Sequence, residues 1–201
     1  MIKKVIATSS VLFVTFASAS PAPLVSDSTH DQFFDNIAKY CGQAFEGRVT
    51  EANFTGVETF KENRLVMHVR KCTDTELQIP FHVGDNHSRT WILTKTGAGI
   101  SLKHDHRMPD GSYDDATMYG GHTVDAGWAN AQSFPADAFS KQDFIRRRNP
   151  QSIGNTWHMY IFPDDYFAYR LTREGRELRV DFDLTKPVDL PPTPWGYEGT
   201  E

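Results

Sequence analysis

The regular alternation of apolar and polar residues constrains the fold of this chain more than any other feature of its sequence. In the segment Leu178-Arg-Val-Asp-Phe-Asp-Leu184, the apolar side chains fall on one face of an extended strand and the charged ones on the other. This pattern predicts a sheet with one buried face and one solvated face. The same alternation recurs in residues 45–49, 65–69, 77–83, 90–94, 100–106, 117–124, 157–162 and 167–171.

Turn residues separate these segments and indicate antiparallel hairpins. Pro109-Asp110-Gly111, Pro163-Asp164-Asp165 and Glu174-Gly175 are typical turn sequences. Ahead of the strands, Ser28 and Asp31 resemble a helix capping box, and apolar residues then recur at helical spacing up to Cys41. The sequence therefore predicts an all-β protein, an up-and-down antiparallel β-barrel of about 8–10 strands with one short N-terminal helix.

The strand pattern also sets the expected boundaries of the barrel, which we predict as a single domain over residues 28–185. Residues 130–148 interrupt the alternation, and a turn of helix is expected around residues 136–144. Residues 186–201 contain four prolines and are expected to form a Pro-rich C-terminal tail that does not continue the sheet. Trp195 is expected to hold this tail against the barrel.

The first residues have the form of a secretory signal. Lys3 and Lys4 give a basic start, a short apolar run follows, and Ala17-Ser18-Ala19 has the small-x-small form that signal peptidase accepts. We interpret residues 1–19 as a signal peptide and residues 20–27 as a polar lead, rather than as a membrane anchor, because the apolar run is shorter than the roughly 20 residues that span a bilayer. The predicted location is the periplasm or the exterior of a bacterium, with no integral membrane segment after cleavage.

Charge and cysteine content narrow the expected partners and compartment. Removing Lys3 and Lys4 from the 21 basic residues leaves 19 against 26 acidic ones, a net charge of −7. This balance argues against nucleic acid as a partner, because nucleic-acid affinity depends on basic side chains. Cys41 and Cys72 are the only cysteines, and an exported chain is expected to join them in a disulfide, with two buried free thiols as the alternative.

Two resemblances accompany these patterns. The short helix followed by Phe45-Glu-Gly-Arg-Val49 and a meander of hairpins resembles the calycin superfamily, the lipocalins and fatty-acid-binding proteins, although Val49 stands where those families have a Trp. The segments Leu102-Lys-His-Asp-His-Arg107, Asp110-Gly-Ser112, Tyr119-Gly-Gly121 and Phe134-Pro-Ala-Asp137 resemble a group of uncharacterised secreted bacterial proteins. Neither resemblance implies a particular reaction.

His104 and His106 form the one local constellation with metal-ligand spacing. Residues two apart in a strand share a face, so both imidazoles are expected to point inward beside Ile100 and Leu102. With a third ligand such as His122, the pair could hold Zn²⁺, and a cupin-like enzyme is one alternative function. The other interpretation is that both histidines lie near a mouth, bonded to Asp114, Asp115 or water, and bind nothing.

The leading functional hypothesis is an exported barrel that binds a small, partly apolar molecule. The residues expected to line its interior are His104, His106, Tyr119, Trp91, Trp157 and Tyr169. No catalytic residue is assigned, because the chain has no Gly-x-Ser-x-Gly nucleophile motif and no dinucleotide-binding loop. A structural or interaction protein of the cell envelope, with a barrel filled by its own side chains, is the second alternative.

Two sets of charged residues, an arginine cluster and an Asp–Arg pair, are predicted to be solvated rather than functional. Arg146-Arg147-Arg148 is the only basic cluster and is interpreted as an exposed loop. Asp105 and Arg107 alternate with the two histidines, so they are expected to form a solvated pair on the outer face. The oligomeric state and the identity of any ligand are left open by the sequence.

Overall fold

Ten antiparallel strands curl into a nearly closed barrel in the computed structural model, which describes residues 28–200. The predicted signal peptide and polar lead lie outside the described residues. The helices are α1 (Thr29–Ala38), α2 (Glu58–Lys61), α3 (Ala138–Arg146) and a 3₁₀ helix (Pro150–Gly154). The strands are β1 (Ala44–Ala52), β2 (Leu65–His68), β3 (Lys71–Cys72), β4 (Glu76–Val83), β5 (Asn86–Thr96), β6 (Gly99–His106), β7 (Tyr119–His122), β8 (Ala131–Pro135), β9 (Thr156–Phe162), β10 (Tyr166–Arg173) and β11 (Arg176–Val188).

The strand order confirms the predicted antiparallel barrel. Hydrogen-bonded neighbours run β7-β6-β5-β4-β2-β1-β11-β10-β9-β8, and the two-residue β3 pairs with β4 beside this path. Most of the pairs join strands that are consecutive in sequence, as in an up-and-down meander, while the first and last long strands, β1 and β11, pair with each other. The predicted alternation also holds in β11, where Leu178, Val180, Phe182 and Leu184 are buried.

Two adjacent glycines in β7 allow the two edges of the sheet, at β7 and β8, to approach each other. Gly121 forms a bridge with Ala136, and the backbone N–H of Asp137 donates to the Gly120 carbonyl at 3.1 Å. A Cβ at Gly120 would overlap the Leu102 carbonyl, and a Cβ at Gly121 would overlap the carbonyls of Phe134 and Pro135. The Tyr119-Gly-Gly121 segment therefore closes the barrel because glycine alone permits this backbone approach.

Helix α1 lies over one end of the barrel. Ser28 caps it by accepting from the Asp31 N–H at 3.1 Å, as the capping-box pattern predicts, and Phe33, Phe34 and Ile37 are buried below it. A disulfide joins Cys41, just after this helix, to Cys72 in β3, which confirms the predicted pairing. Such bonds are typical of proteins from oxidising compartments. Among residues 28–200, no helix is long and apolar enough to span a bilayer.

Two strands differ from the sequence-based expectation. Strand β8 lies within the segment predicted as an interruption, where only the helix α3 was expected. Strand β11 continues through Pro187 to Val188, three residues into the predicted tail. Pro187 is tolerated there because it lies opposite Phe45 next to a register shift, an irregular position where the missing N–H costs little.

Asp105 is buried, so the prediction of a solvated pair with Arg107 is wrong. Its carboxylate is 1% exposed and accepts from Arg107 Nε, from Thr117 Oγ1 and, at 2.6 Å, from the Tyr197 hydroxyl. Tyr197 belongs to the C-terminal segment, which covers this outer face of β6. The burial and the neighbouring carboxylate raise the pKa of the Tyr197 phenol. The predicted anchor, Trp195, donates its backbone N–H to the His87 carbonyl, so it too lies against the barrel.

Candidate functional site

A cavity of about 260 Å³ occupies the barrel end opposite α1. Helix α1 lies beside the β5–β6 and β9–β10 turns, where Asp31 contacts Lys95 and Tyr40 contacts Asp164. The cavity instead adjoins the β10–β11 turn, α2, α3 and the 3₁₀ helix. Its wall includes His104, His106, Tyr119, Trp91, Trp157 and Tyr169, the six side chains that the sequence predicts to face the interior.

Aromatic side chains form the deep wall of this cavity. Trp91 stacks on Tyr169 with ring centroids 4.6 Å apart and on Phe81 at 4.9 Å. Trp157 contacts the His104 ring at 5.0 Å. These rings are almost fully buried, since Trp91 is 2% and Trp157 is 1% exposed. They give a rigid apolar surface of the kind that lines small-molecule sites.

The hydrogen bonds of His104 fix its tautomer. Its Nδ1 lies 3.2 Å from the Tyr119 carbonyl, which can only accept, so Nδ1 carries the proton and donates. Its Nε2 is then the acceptor for the Tyr169 hydroxyl, at 2.9 Å. Burial, assisted by the nearby His106, lowers the pKa of His104 to about 3, so the ring is neutral at physiological pH.

His106 and Tyr119 form a second polar pair closer to the cavity opening. The Tyr119 hydroxyl lies 3.4 Å from His106 Nε2, and the rings meet edge to face at 5.4 Å. Burial and the charge of Arg89 lower the pKa of His106 to about 4, and burial raises the pKa of Tyr119 to about 12. Both groups are therefore neutral and can orient a ligand by hydrogen bonding.

The third histidine proposed as a metal ligand lies elsewhere. His122 pairs with Ser101 in the β6–β7 ladder, whereas His104 pairs with Tyr119, so the two are about 10 Å apart along the strands. His122 bonds instead to Thr96 Oγ1 and the Thr123 carbonyl. Within residues 28–200 no three His, Cys, Asp or Glu side chains are grouped as metal ligands. Both ring nitrogens of His104 are engaged, so a metal there would have to displace Tyr169.

Four arginines line the polar part of the cavity: Arg89, Arg147, Arg173 and Arg176. Arg147 comes from the cluster that the sequence interprets as an exposed loop, but it is half-buried and pairs with Asp143 at 2.7 Å. Sequence reasoning missed the other three as site residues. The signal that reveals them is the same alternation, because each shares the strand parity of an inward neighbour: Arg89 with Trp91, Arg173 with Tyr169, and Arg176 with Leu178.

Comparisons with known proteins identified no relative. No family model, no curated protein sequence and no solved structure matches this chain.

Proposed function

We propose that this protein is an exported, calycin-like barrel that binds a small, partly apolar molecule in its interior. The observation that carries the proposal is the cavity itself, which is walled by buried aromatic rings and bordered by a few polar groups. Sites for small molecules commonly have this composition. A barrel filled by its own side chains would leave no such space in this position.

The arrangement of polar groups favours binding over catalysis. His104 is neutral, and its two ring nitrogens are hydrogen-bonded to Tyr119 and Tyr169, so it acts as a rigid part of the wall. His106 and Tyr119 lie nearer the opening and keep hydrogen-bonding capacity for a ligand. No nucleophile with an adjacent base lines the cavity, which holds no Cys, Asp, Glu or Lys among the described residues.

The proposed binding can be tested by native mass spectrometry of the protein purified from its own host. We expect a retained small molecule as added mass, released on denaturation. Ala116, on a loop at the cavity wall, provides the blocking variant, because Ala116→Trp would fill the space from a position outside the strands. That variant is expected to lose the added mass while keeping its circular dichroism spectrum.

Ala98→Trp is the matched control for this experiment. Ala98 is exposed in the β5–β6 turn, at the α1 end of the barrel, so its replacement adds the same side chain away from the cavity. It should retain the ligand. The proposal is contradicted if wild type carries no added mass and also binds no added small molecule, or if Ala116→Trp and wild type retain the same molecule equally. Added mass equal to Zn²⁺, lost on replacing His104 or His106, would support the metal-dependent alternative instead.

A further inference from the structure

The charged residues that line the cavity are all positive. Its lining includes four arginines and, among the described residues, no carboxylate. The chain as a whole is acidic, with 26 Asp and Glu against 21 Lys and Arg. Arginines gathered without acids in the interior of an acidic protein are therefore not explained by overall composition.

Arg176 is the least satisfied of the four. Its Nε is buried and has no hydrogen-bond partner within residues 28–200, and its guanidinium lies 4.0 Å from the centre of the Phe54 ring. No acid lies within ion-pair distance of it in that range. Burial, reinforced by the charge of Arg173, lowers the pKa of Arg176. The fold thus holds a cation where its charge is only partly compensated.

Arg89 and Arg173 are also without an acidic partner in the described part of the chain. Arg89 donates to Asn86 Oδ1 at 3.0 Å, and Arg173 donates to Ser152 Oγ at 2.9 Å, so each is bonded to a neutral oxygen. Asp114 is the carboxylate whose charge acts on Arg89, but it does not line the cavity and is beyond ion-pair distance. Only Arg147 is neutralised by contact, through Asp143.

The arginines and the aromatic side chains line the same cavity. The charges of Arg89 and Arg176 both bear on the Tyr119 and Tyr169 hydroxyls, which line the cavity beside Trp91 and Trp157. A single small molecule there would meet guanidinium groups at one end and aromatic rings at the other. A half-buried cation without an acidic partner is costly, and an anion supplied by a ligand would remove that cost.

We propose that the ligand of this cavity is a small amphipathic anion, whose carboxylate, sulfonate or phosphate group is held by Arg89 and Arg176 and whose apolar part lies against Trp91 and Tyr169. This inference rests on the proposed binding function and names the ligand class. The volume of about 260 Å³ lies below the roughly 300–1,000 Å³ of drug-sized sites, which fits one ring or a short chain.

The test compares acids with amides of the same shape by isothermal titration calorimetry. The pairs are phenylacetate with phenylacetamide and hexanoate with hexanamide, and phenyl phosphate distinguishes a phosphate ligand from a carboxylate. We expect at least one acid to bind about tenfold or more tightly than its amide, since bonds from arginine to an anion are among the stronger hydrogen bonds. Raising the salt concentration should weaken the acid more than the amide.

Arginine variants locate the anion. Arg176→Gln and Arg89→Gln should each lower acid affinity about tenfold or more and leave amide affinity nearly unchanged. Arg179→Gln is the matched control, because Arg179 lies on the same strand as Arg176 but on the outer face, bonded to Asp181 at 2.7 Å. It should not alter either affinity.

The outcomes separate this inference from the binding function. If a retained molecule is found, but no acid binds more tightly than its amide or the retained molecule is neutral, the anion proposal is overturned and the binding function stands. If wild type retains nothing and neither acids nor amides bind, both fail. Equal loss of acid affinity in Arg176→Gln and Arg179→Gln would also overturn the anion proposal, since it would show a general effect of surface charge.

Discussion

His104 shows how two hydrogen bonds can give a histidine a role that its sequence position does not reveal. The spacing His104-x-His106 predicts two inward imidazoles, and both line the cavity. Spacing does not reveal that the Tyr119 carbonyl fixes the proton on Nδ1, or that Tyr169, 65 residues away, occupies Nε2. Those partners depend on strand register and on barrel closure, which sequence alternation leaves open.

The bond between Tyr169 and His104 gives a stability prediction. Tyr169→Phe removes the hydroxyl and leaves the buried His104 Nε2 without its donor, which should cost about 1–3 kcal/mol of unfolding free energy. Urea unfolding monitored by circular dichroism measures this change. Tyr113→Phe is the control, because Tyr113 is 61% exposed, and it should change stability by less than about 0.5 kcal/mol. Equal stability of the two variants would show that the bond contributes nothing.

Strand β11 shows which elements were predictable. Its alternation predicts the strand because apolar residues point inward and charged residues point outward along most of its length. Strand β8 was missed because its five residues, Ala131–Pro135, mix polar, small and proline residues and contain only one large apolar side chain, Phe134. The burial of Asp105 was missed because it depends on Tyr197, 92 residues later in the chain. Local patterns therefore predict long two-faced strands and fail where a distant segment supplies the environment.

The two faces of β11 can be distinguished by substitution. Phe182 is fully buried and its ring lies over Gly47 of β1, where an added Cβ would be 2.5 Å from the ring. Phe182→Asp should unfold the protein, because it places a charge among Leu178, Val180 and Leu184. Asp181→Asn should cost no more than about 1 kcal/mol, since its partner Arg179 is partly exposed. Thermal unfolding tests both, and similar losses would contradict the assignment of an inner and an outer face.

At the scale of the whole molecule, the barrel buries histidines in the neutral form. Burial lowers the pKa of His82 and His104 to about 3 and that of His106 to about 4. In the unfolded chain these imidazoles titrate near 6.5, so between about pH 6.5 and 4 the unfolded state binds more protons than the folded state. Stability should therefore be highest above this window and fall as the pH decreases through it.

This dependence is large enough to measure. Each neutral histidine contributes up to about 1.4 kcal/mol of stability per pH unit within the window, so urea midpoints at pH 7 and pH 5 should differ clearly. His106→Gln should reduce the slope, because it removes one of the groups that titrate on unfolding. Stability that is unchanged between pH 7 and pH 5 would show that these histidines are not held neutral by the fold.

A crystal structure of the protein with its retained ligand or with phenylacetate would show whether the aromatic and arginine-lined cavity is the ligand site. We expect one molecule in the cavity, with its anionic group within hydrogen-bond distance of Arg89 or Arg176 and its apolar part against Trp91 and Tyr169. An occupied site elsewhere on the barrel, with this cavity filled only by water, would contradict it.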